Sequence, residues 1–234
     1  MNRPADVAEA KARLAALGFS WLPLVDTTVD ELTIQTIKLF QAIKNGTDRI
    51  DGPQGNDGRI DVGGSTHRWL AARNAPRWMR LPTGSRADGY VKIVDGDRHD
   101  FGTDWLAAAI AGAGAAYRTH LDSHPGAAVL TINDASLPRG GPTDDHGGHE
   151  TGLMADILLP RLDGRAGGGV VWESPTYDRA AMRAILRAFA DQDATGFVLF
   201  NDPTLVADGL CRSYAGHDDH AHLRIVPPAL GEPA

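Results

Sequence analysis

Cysteine is nearly absent from this chain, since Cys211 stands alone among 234 residues. A single cysteine excludes an intrachain disulfide and a cysteine-rich metal site. The short apolar segment that precedes it, Leu205–Leu210, offers no helix N-terminus to lower the pKa of the thiol. The sequence therefore does not favour Cys211 as a catalytic nucleophile.

Long apolar runs and an excess of positive charge are also missing. No run approaches the roughly 20 apolar residues of a membrane span, and a formal net charge of −7 gives no support for nucleic-acid binding. The first residues, Met1–Asp6, lead into a charged helical pattern without the apolar core of a signal peptide. We expect neither a membrane span nor a nucleic-acid partner. A protein that stays inside, export by another route and a trimmed leader all remain open.

Histidine, in contrast, is concentrated in two short windows, 139–156 and 217–222. The windows hold five of the nine histidines and one well-placed carboxylate: His146, His149, Asp156, His217, His220 and His222. Imidazole and carboxylate are the ordinary ligands of a hydrolytic zinc site, with three groups from the protein and one water. The two windows therefore predict a zinc site.

The second window has the spacing of a strand. Residues two apart on a strand point to the same face, so His220 and His222 lie side by side. One of them can bind the ion directly, while the other stands beside it, where it can handle protons or stabilise an oxyanion.

The first window supplies the remaining ligands. Its glycines allow a tight loop that brings His149 and Asp156 to one point, which gives a His/Asp/His set with an open fourth position. His149-Glu150 begins like the helical His-Glu-x-x-His motif, but position 153 is leucine and Gly152 disfavours a helix. Glu150 is therefore interpreted as an outer-shell or surface carboxylate.

Other polar residues carry weaker signals. Arg139 and Arg224 are candidates for binding a substrate carboxylate, with surface or strand-end pairing as the alternative. The acidic turn 48–61 either binds calcium or serves turn formation, and its spacing does not fit an EF-hand. Four histidines without a partner pattern are predicted to be exposed: His67, His99, His120 and His124.

Apolar periodicity predicts a small three-helix module over residues 1–76. Helices are expected over 5–17, where Gly18 ends the helix, and over 29–44, with Thr28 as its N-cap, followed by a short third helix after Ser65.

Residues 77–234 predict a second domain in which helices and strands alternate irregularly. The fold class is α+β, with a mostly antiparallel sheet and flanking helices. The predicted helices are 105–121 and one capped by Asp178, and the predicted strands are 90–94, 127–133, 155–159, 169–172, 196–200 and 221–226.

The first module resembles the peptidoglycan-binding three-helix module of bacterial wall hydrolases. The likeness covers residues 5–73 and is carried by four segments: Leu14–Phe19, Thr36–Ile43, Asp57–Asp61 and Thr66–Leu70. An insertion over Asp51–Gly55 departs from the family pattern. The resemblance implies peptidoglycan as the partner.

Residues 127–228 resemble the penicillin-insensitive murein endopeptidases, which belong to a wider group with lysostaphin, D-Ala-D-Ala peptidases and hedgehog domains. The segments that carry this likeness are Thr131–Pro142, His146–Ile157 and Gly216–Arg224. The resemblance implies zinc (Zn²⁺) held by His149, Asp156 and His222. It implies that His220 is the catalytic histidine beside the water, and that His217 and His146 are nearby active-site histidines that bind substrate or tune the site. We group His217 with His220 as catalytic and His146 with the substrate-binding residues, and a purely structural role for His146 and His217 is the alternative.

The implied reaction is hydrolysis of D-alanyl–meso-diaminopimelyl cross-links, in the periplasm or cell wall. A D,D-carboxypeptidase, another stem-peptide hydrolase and a zinc-bearing binding module without turnover remain alternatives. A phage lysis enzyme, a secreted antibacterial effector and a trimmed periplasmic enzyme all fit this pattern, and an immunity or delivery partner is left unknown. The disulfides usual in the family are impossible here.

Overall fold

The structure, a computed structural model, describes residues 3–51, 55–144 and 147–233. It is an α+β fold in which strands that pair mostly antiparallel are flanked by helices, as the sequence predicts. Its buried apolar residues form a cluster that runs from Leu14 in the first helix to Ile225 in the last strand.

Three helices form the N-terminal part: α1 (Pro4–Ala16), α2 (Glu31–Asn45) and α3 (Ser65–Leu70). The N-cap of α2 is Asp30, whose carboxylate accepts the Thr33 N–H at 2.8 Å. The prediction of Thr28 as the cap is wrong, because Thr28 donates from its amide and hydroxyl to Asp26 instead. Asp30 directly precedes the first turn and so reaches its open N–H groups.

Eight strands follow in the described chain. They are β1 (Trp78–Arg80), β2 (Gly84–Ser85), β3 (Tyr90–Lys92), β4 (Phe101–Thr103), β5 (Leu130–Ile132), β6 (Met154–Leu158), β7 (Thr195–Leu199) and β8 (His220–Ile225). The main sheet has the order β2-β3-β5-β6-β8-β7, and β1 pairs separately with β4. Only β3 and β5 pair in parallel among these neighbours.

The remaining helices are α4 (Asp104–Ser123), α5 (Arg179–Ala190) and α6 (Pro203–Ala207), and a 3-10 turn spans Arg86–Asp88. Asp178 caps α5 as predicted, by accepting the Ala181 N–H at 3.0 Å. α4 and α5 pack against each other, which covers the sheet with an apolar layer. None of the described helices combines the length and the apolar character that crossing a membrane requires.

The predicted strand over residues 169–172 is wrong. Gly167, Gly168 and Gly169 have φ angles of 68°, 75° and 74°, which lie in the left-handed region and break an extended backbone. The segment is instead a loop, and the backbone N–H of Trp172 donates to the carbonyl of Asp218. This contact places the loop beside the entry to β8.

The helical part packs closely on the part that follows residue 76. Phe19 stacks on Trp78 with ring centroids 6.2 Å apart, and the Trp78 N–H donates to the Leu17 carbonyl at 2.8 Å. Gly18 is required at this approach, because a Cβ there would lie 2.0 Å from the Trp78 carbonyl oxygen. The division into domains 1–76 and 77–234 stays a prediction.

Candidate metal centre

Strands β6 and β8 carry two of the predicted ligands. In their antiparallel register Asp156 lies opposite His222, and Leu158 lies opposite His220. Directly opposed residues on such a pair have Cβ atoms about 5 Å apart, so their side chains meet. Because β8 alternates, His220 and His222 share one face.

The loop before β6 brings in the third side chain, His149. Its backbone has φ 67°, the left-handed region that non-glycine residues seldom adopt. Gly152 lets the loop pass the core, because a Cβ there would lie 2.6 Å from the Trp78 ring and 2.9 Å from the Gly102 Cα. The glycines of this loop therefore allow close packing against the core as well as a tight turn of the backbone.

Three donor atoms converge as a result. Nε2 of His149 lies 3.2 Å from Oδ1 of Asp156, and Nδ1 of His222 lies 2.9 Å from the same oxygen. The two ring nitrogens are 3.1 Å apart. Ligands bound to tetrahedral zinc at 2.0–2.1 Å stand about 3.4 Å from each other, so this triangle has nearly the size of one face of such a site.

The position of the proton on the His149 ring favours a cation between the three donor atoms. The carbonyl of Ala135 lies 3.0 Å from Nδ1 of His149 and can only accept, so Nδ1 carries the proton. In a neutral imidazole Nε2 then presents a lone pair to the Asp156 carboxylate. A proton shared between two of the three donor atoms relieves the repulsion of that pair only. A divalent cation can accept a lone pair from all three. These three side chains form a group that could hold a metal ion.

The Asp156 side chain is only 5% exposed. Burial by itself raises the pKa of this carboxyl, but its close contacts with the His149 and His222 rings outweigh burial and hold the pKa well below its ordinary value. The candidate ligand Asp156 is therefore anionic in the interior, where a carboxylate must be paired or metal-bound.

His220 stands beside this triangle. Its Nε2 lies 3.9 Å from Oδ1 of Asp156, and its Nδ1 lies 2.8 Å from Oδ1 of Asp219. The Asp219 carboxylate accepts from Nδ1, which leaves the lone pair of Nε2 directed toward the ligand set. His220 thus has the geometry of a group that exchanges a proton next to the metal position. Asp219 has no role among the sequence-based predictions.

His217 also joins the cluster. Its ring centroid lies 4.9 Å from that of His220 and 5.6 Å from that of His222. Partial burial lowers the pKa of His217, and the neighbouring imidazoles lower it further, against an opposing effect of the backbone carbonyls of Tyr214 and Ala215. Its neutral form is favoured beside the metal position.

The three candidate substrate groups have different positions. His146 lies outside the described residues. Arg139 is exposed, in the loop that leads to the ligands. Arg224 is held by protein partners, since its Nε lies 2.6 Å from Oδ1 of Asp48 and its guanidinium lies over the Phe197 ring. The substrate-binding role of all three stays a prediction.

A second group of metal-type donors was missed by the sequence reasoning: Asp97, His99 and Asp134. The prediction that His99 is exposed is wrong, because it is 6% exposed. Its backbone carbonyl accepts the N–H of Ala135, and this pairing draws the residue inside. The Asp-Arg-His spacing at 97–99 was the available signal, but only the fold adds Asp134.

The acidic turn 48–61 has protein partners in its described part. Asp48 pairs with Arg224, Asp51 with Lys38, and Asp57 accepts from Gln41. These contacts support the interpretation of the segment as structured turns rather than a calcium loop.

Comparisons with known proteins add no assignment to this geometry. No known protein family and no curated protein matches the chain.

Proposed function

We propose that this chain is a zinc-dependent peptidoglycan endopeptidase that hydrolyses D-alanyl–meso-diaminopimelyl cross-links. The observation that carries the proposal is the convergence of His149, Asp156 and His222, with His220 beside them. Two imidazoles, one carboxylate and a fourth position for solvent form the donor set of a hydrolytic zinc site.

His149, Asp156 and His222 would hold zinc, which would act as a Lewis acid on the scissile carbonyl and would make water nucleophilic near neutral pH. The ligand side chains orient the site, because Ala135 fixes the ring of His149 and the β6–β8 register fixes Asp156 against His222.

Proton transfer falls to His220. Nε2 takes a proton from the attacking water and returns it to the leaving amine, while Asp219 holds the ring through Nδ1. His217, partly buried beside it, lines the same corner. His146 is a proposed contact to the stem peptide by the resemblance of its motif to the murein endopeptidases. Arg139 and Arg224 are proposed as partners of a substrate carboxylate.

The helical module over residues 1–76 is proposed to bind peptidoglycan and to keep the enzyme on its insoluble substrate. The place of action is then the periplasm or cell wall. Trimming of terminal D-alanine and zinc-bearing binding without turnover are the competing functions, and their products differ.

The test is digestion of purified sacculi with product mapping by mass spectrometry, alongside zinc analysis of the protein. Conversion of cross-linked dimers to monomers supports the endopeptidase. Release of D-alanine from intact dimers supports the carboxypeptidase instead, and retention on sacculi without soluble product supports a binding module.

Variants assign the roles. His149→Ala and His222→Ala should lose both zinc and cleavage, while His220→Ala should keep zinc and lose cleavage. Cleavage that persists in the first two variants rejects the ligand assignment.

A further inference from the structure

The segment that follows α2, residues 46–50, lies against both halves of the candidate metal centre. It begins at Gly46, the left-handed C-cap of α2. It belongs to the part of the chain whose likeness points to wall binding, yet its contacts lead to the metal ligands.

Two contacts reach the ligand loop immediately after His149. Oε2 of Glu150 accepts the backbone N–H of Ile50 at 3.0 Å, and Oγ1 of Thr151 donates to the carbonyl of Thr47 at 3.0 Å. Glu150 is 9% exposed and Thr151 is fully buried. The Glu150 bond is therefore buried and the Thr151 bond is partly buried, so a donor or acceptor that loses its partner there is poorly compensated by water.

Two more contacts reach β8 next to the other imidazole ligand. Arg224 follows His222 by two residues and shares its face. Its Nε lies 2.6 Å from Oδ1 of Asp48, and its guanidinium donates to the Gly46 carbonyl. The same five-residue segment thus holds the loop and the strand.

The segment is itself fixed within the helical part. The side-chain amide of Asn56 donates to the Ile50 carbonyl and to Oγ1 of Thr47, each at 3.1 Å. The Ile50 side chain is buried at 6% exposure. The position of α2 therefore constrains the residues that the segment contacts, which are Glu150, Thr151 and Arg224.

His149 needs such support. Its left-handed backbone persists only where surrounding contacts hold it. The Ala135 carbonyl fixes the ring, whereas Glu150 and Thr151 fix the backbone that follows.

We propose that the N-terminal helical part is a structural component of the metal centre, with Glu150 and Thr151 as positioning residues that set the geometry of His149 through residues 46–50. The inference rests on the metal centre of the proposed function, but not on its substrate.

The test measures zinc affinity of the full-length chain by competition with a chromophoric chelator. Glu150→Ala removes the acceptor of the Ile50 N–H, and Thr151→Val removes the donor to Thr47 while keeping the shape. We expect zinc binding to weaken about tenfold or more in each, the range found when outer-shell partners of metal ligands are removed. The visible spectrum of the cobalt(II)-loaded variants should shift as well.

Two variants serve as controls. Glu150→Gln keeps an oxygen that accepts from Ile50 and should retain near wild-type affinity. Asp51→Asn breaks the Lys38–Asp51 ion pair, which adjoins Ile50 without touching the ligand loop, and should leave zinc affinity unchanged. Thermal unfolding reports whether each variant is folded, and Thr151→Val decides the matter if Glu150→Ala does not fold.

Wild-type zinc affinity in both Glu150→Ala and Thr151→Val would overturn the inference. So would equal weakening in Glu150→Gln and Glu150→Ala, because the charge rather than the bond would then be responsible. A wild-type chain that binds no zinc rejects the inference together with the metal centre. A wild-type chain that binds zinc but cuts no muropeptide rejects the proposed function alone and leaves this inference standing.

Discussion

The described part of the chain has two neighbouring groups of metal-type donors, which differ in burial and in how firmly each side chain is held. In the first, the side chains of His149, Asp156 and His222 are 2%, 5% and 12% exposed. In the second, His99 is buried, but the Asp97 side chain is 40% exposed and its Oδ2 lies 3.5 Å from Nδ1 of His99. The two groups adjoin through the backbone, since the backbone N–H of Asp156 donates to the Asp134 carbonyl.

The two groups differ in the chemical type of their donor atoms and in the contacts that hold each donor in place. The first group has two imidazole nitrogens, which suit zinc, and each donor sits on a strand or a tethered loop. In the second, Oδ1 of Asp97 accepts the backbone N–H of His99, and Oδ2 of Asp134 accepts the side-chain amide N–H of Asn133. Proximity of donors is therefore not enough, and we expect tight zinc binding at the first group only.

The largest effect is expected from loss of the shared carboxylate. Asp156→Asn should weaken zinc binding about a hundredfold or more, because it removes the anionic donor that contacts both imidazoles. Asp134→Asn is the matched variant in the second group and should change the affinity by less than about twofold. Chelator competition compares them, and equal losses would erase the distinction between the groups.

Loss of His220 should separate binding from turnover. His220→Ala should keep one zinc per chain while muropeptide cleavage falls about 10²–10⁴-fold, the usual contribution of a general acid–base. Metal analysis with single-turnover cleavage measures both. Loss of zinc along with activity would make His220 a ligand rather than a proton carrier.

A smaller effect is expected at Asp219, which orients His220 from an exposed position. Asp219→Ala should lower kcat about tenfold and leave KM and zinc content unchanged, because only the ring orientation is released. A rise in KM without a change in kcat would assign Asp219 to substrate binding instead.

The smallest effect is expected at Cys211, the soft donor that lies outside both groups. Burial raises the pKa of its thiol to about 11, with a further contribution from Asp202 and Asp208. At pH 8 only about one thiol in a thousand is then ionised. Native protein should resist iodoacetamide while urea-unfolded protein reacts, as read by intact mass, and Cys211→Ala should keep its zinc. Rapid labelling of native protein would contradict this environment.

Local pattern was sufficient for part of the centre. Period-two spacing places His220 and His222 on one face of a strand, and the glycines around His149 mark a loop that can reach Asp156. The α+β class and the capping of α5 by Asp178 also follow from short-range signals.

Long-range pairing lay beyond such signals. Glu150 meets Ile50 at a separation of 100 residues, and Arg224 meets Gly46 at a separation of 178. Nothing in either local sequence specifies its distant partner. The burial of His99 likewise depends on a distant partner, because its carbonyl accepts the backbone N–H of Ala135. The strand predicted near Trp172 fails for a local reason, since the glycines that precede it have positive φ angles.

The most direct measurement is anomalous diffraction at the zinc edge from crystals of the full chain loaded with one equivalent of zinc. We predict one peak within about 2.0–2.2 Å of Nε2 of His149, Oδ1 of Asp156 and Nδ1 of His222. A peak held instead by Asp97, His99 and Asp134, or no ordered peak at the first group, would contradict the account.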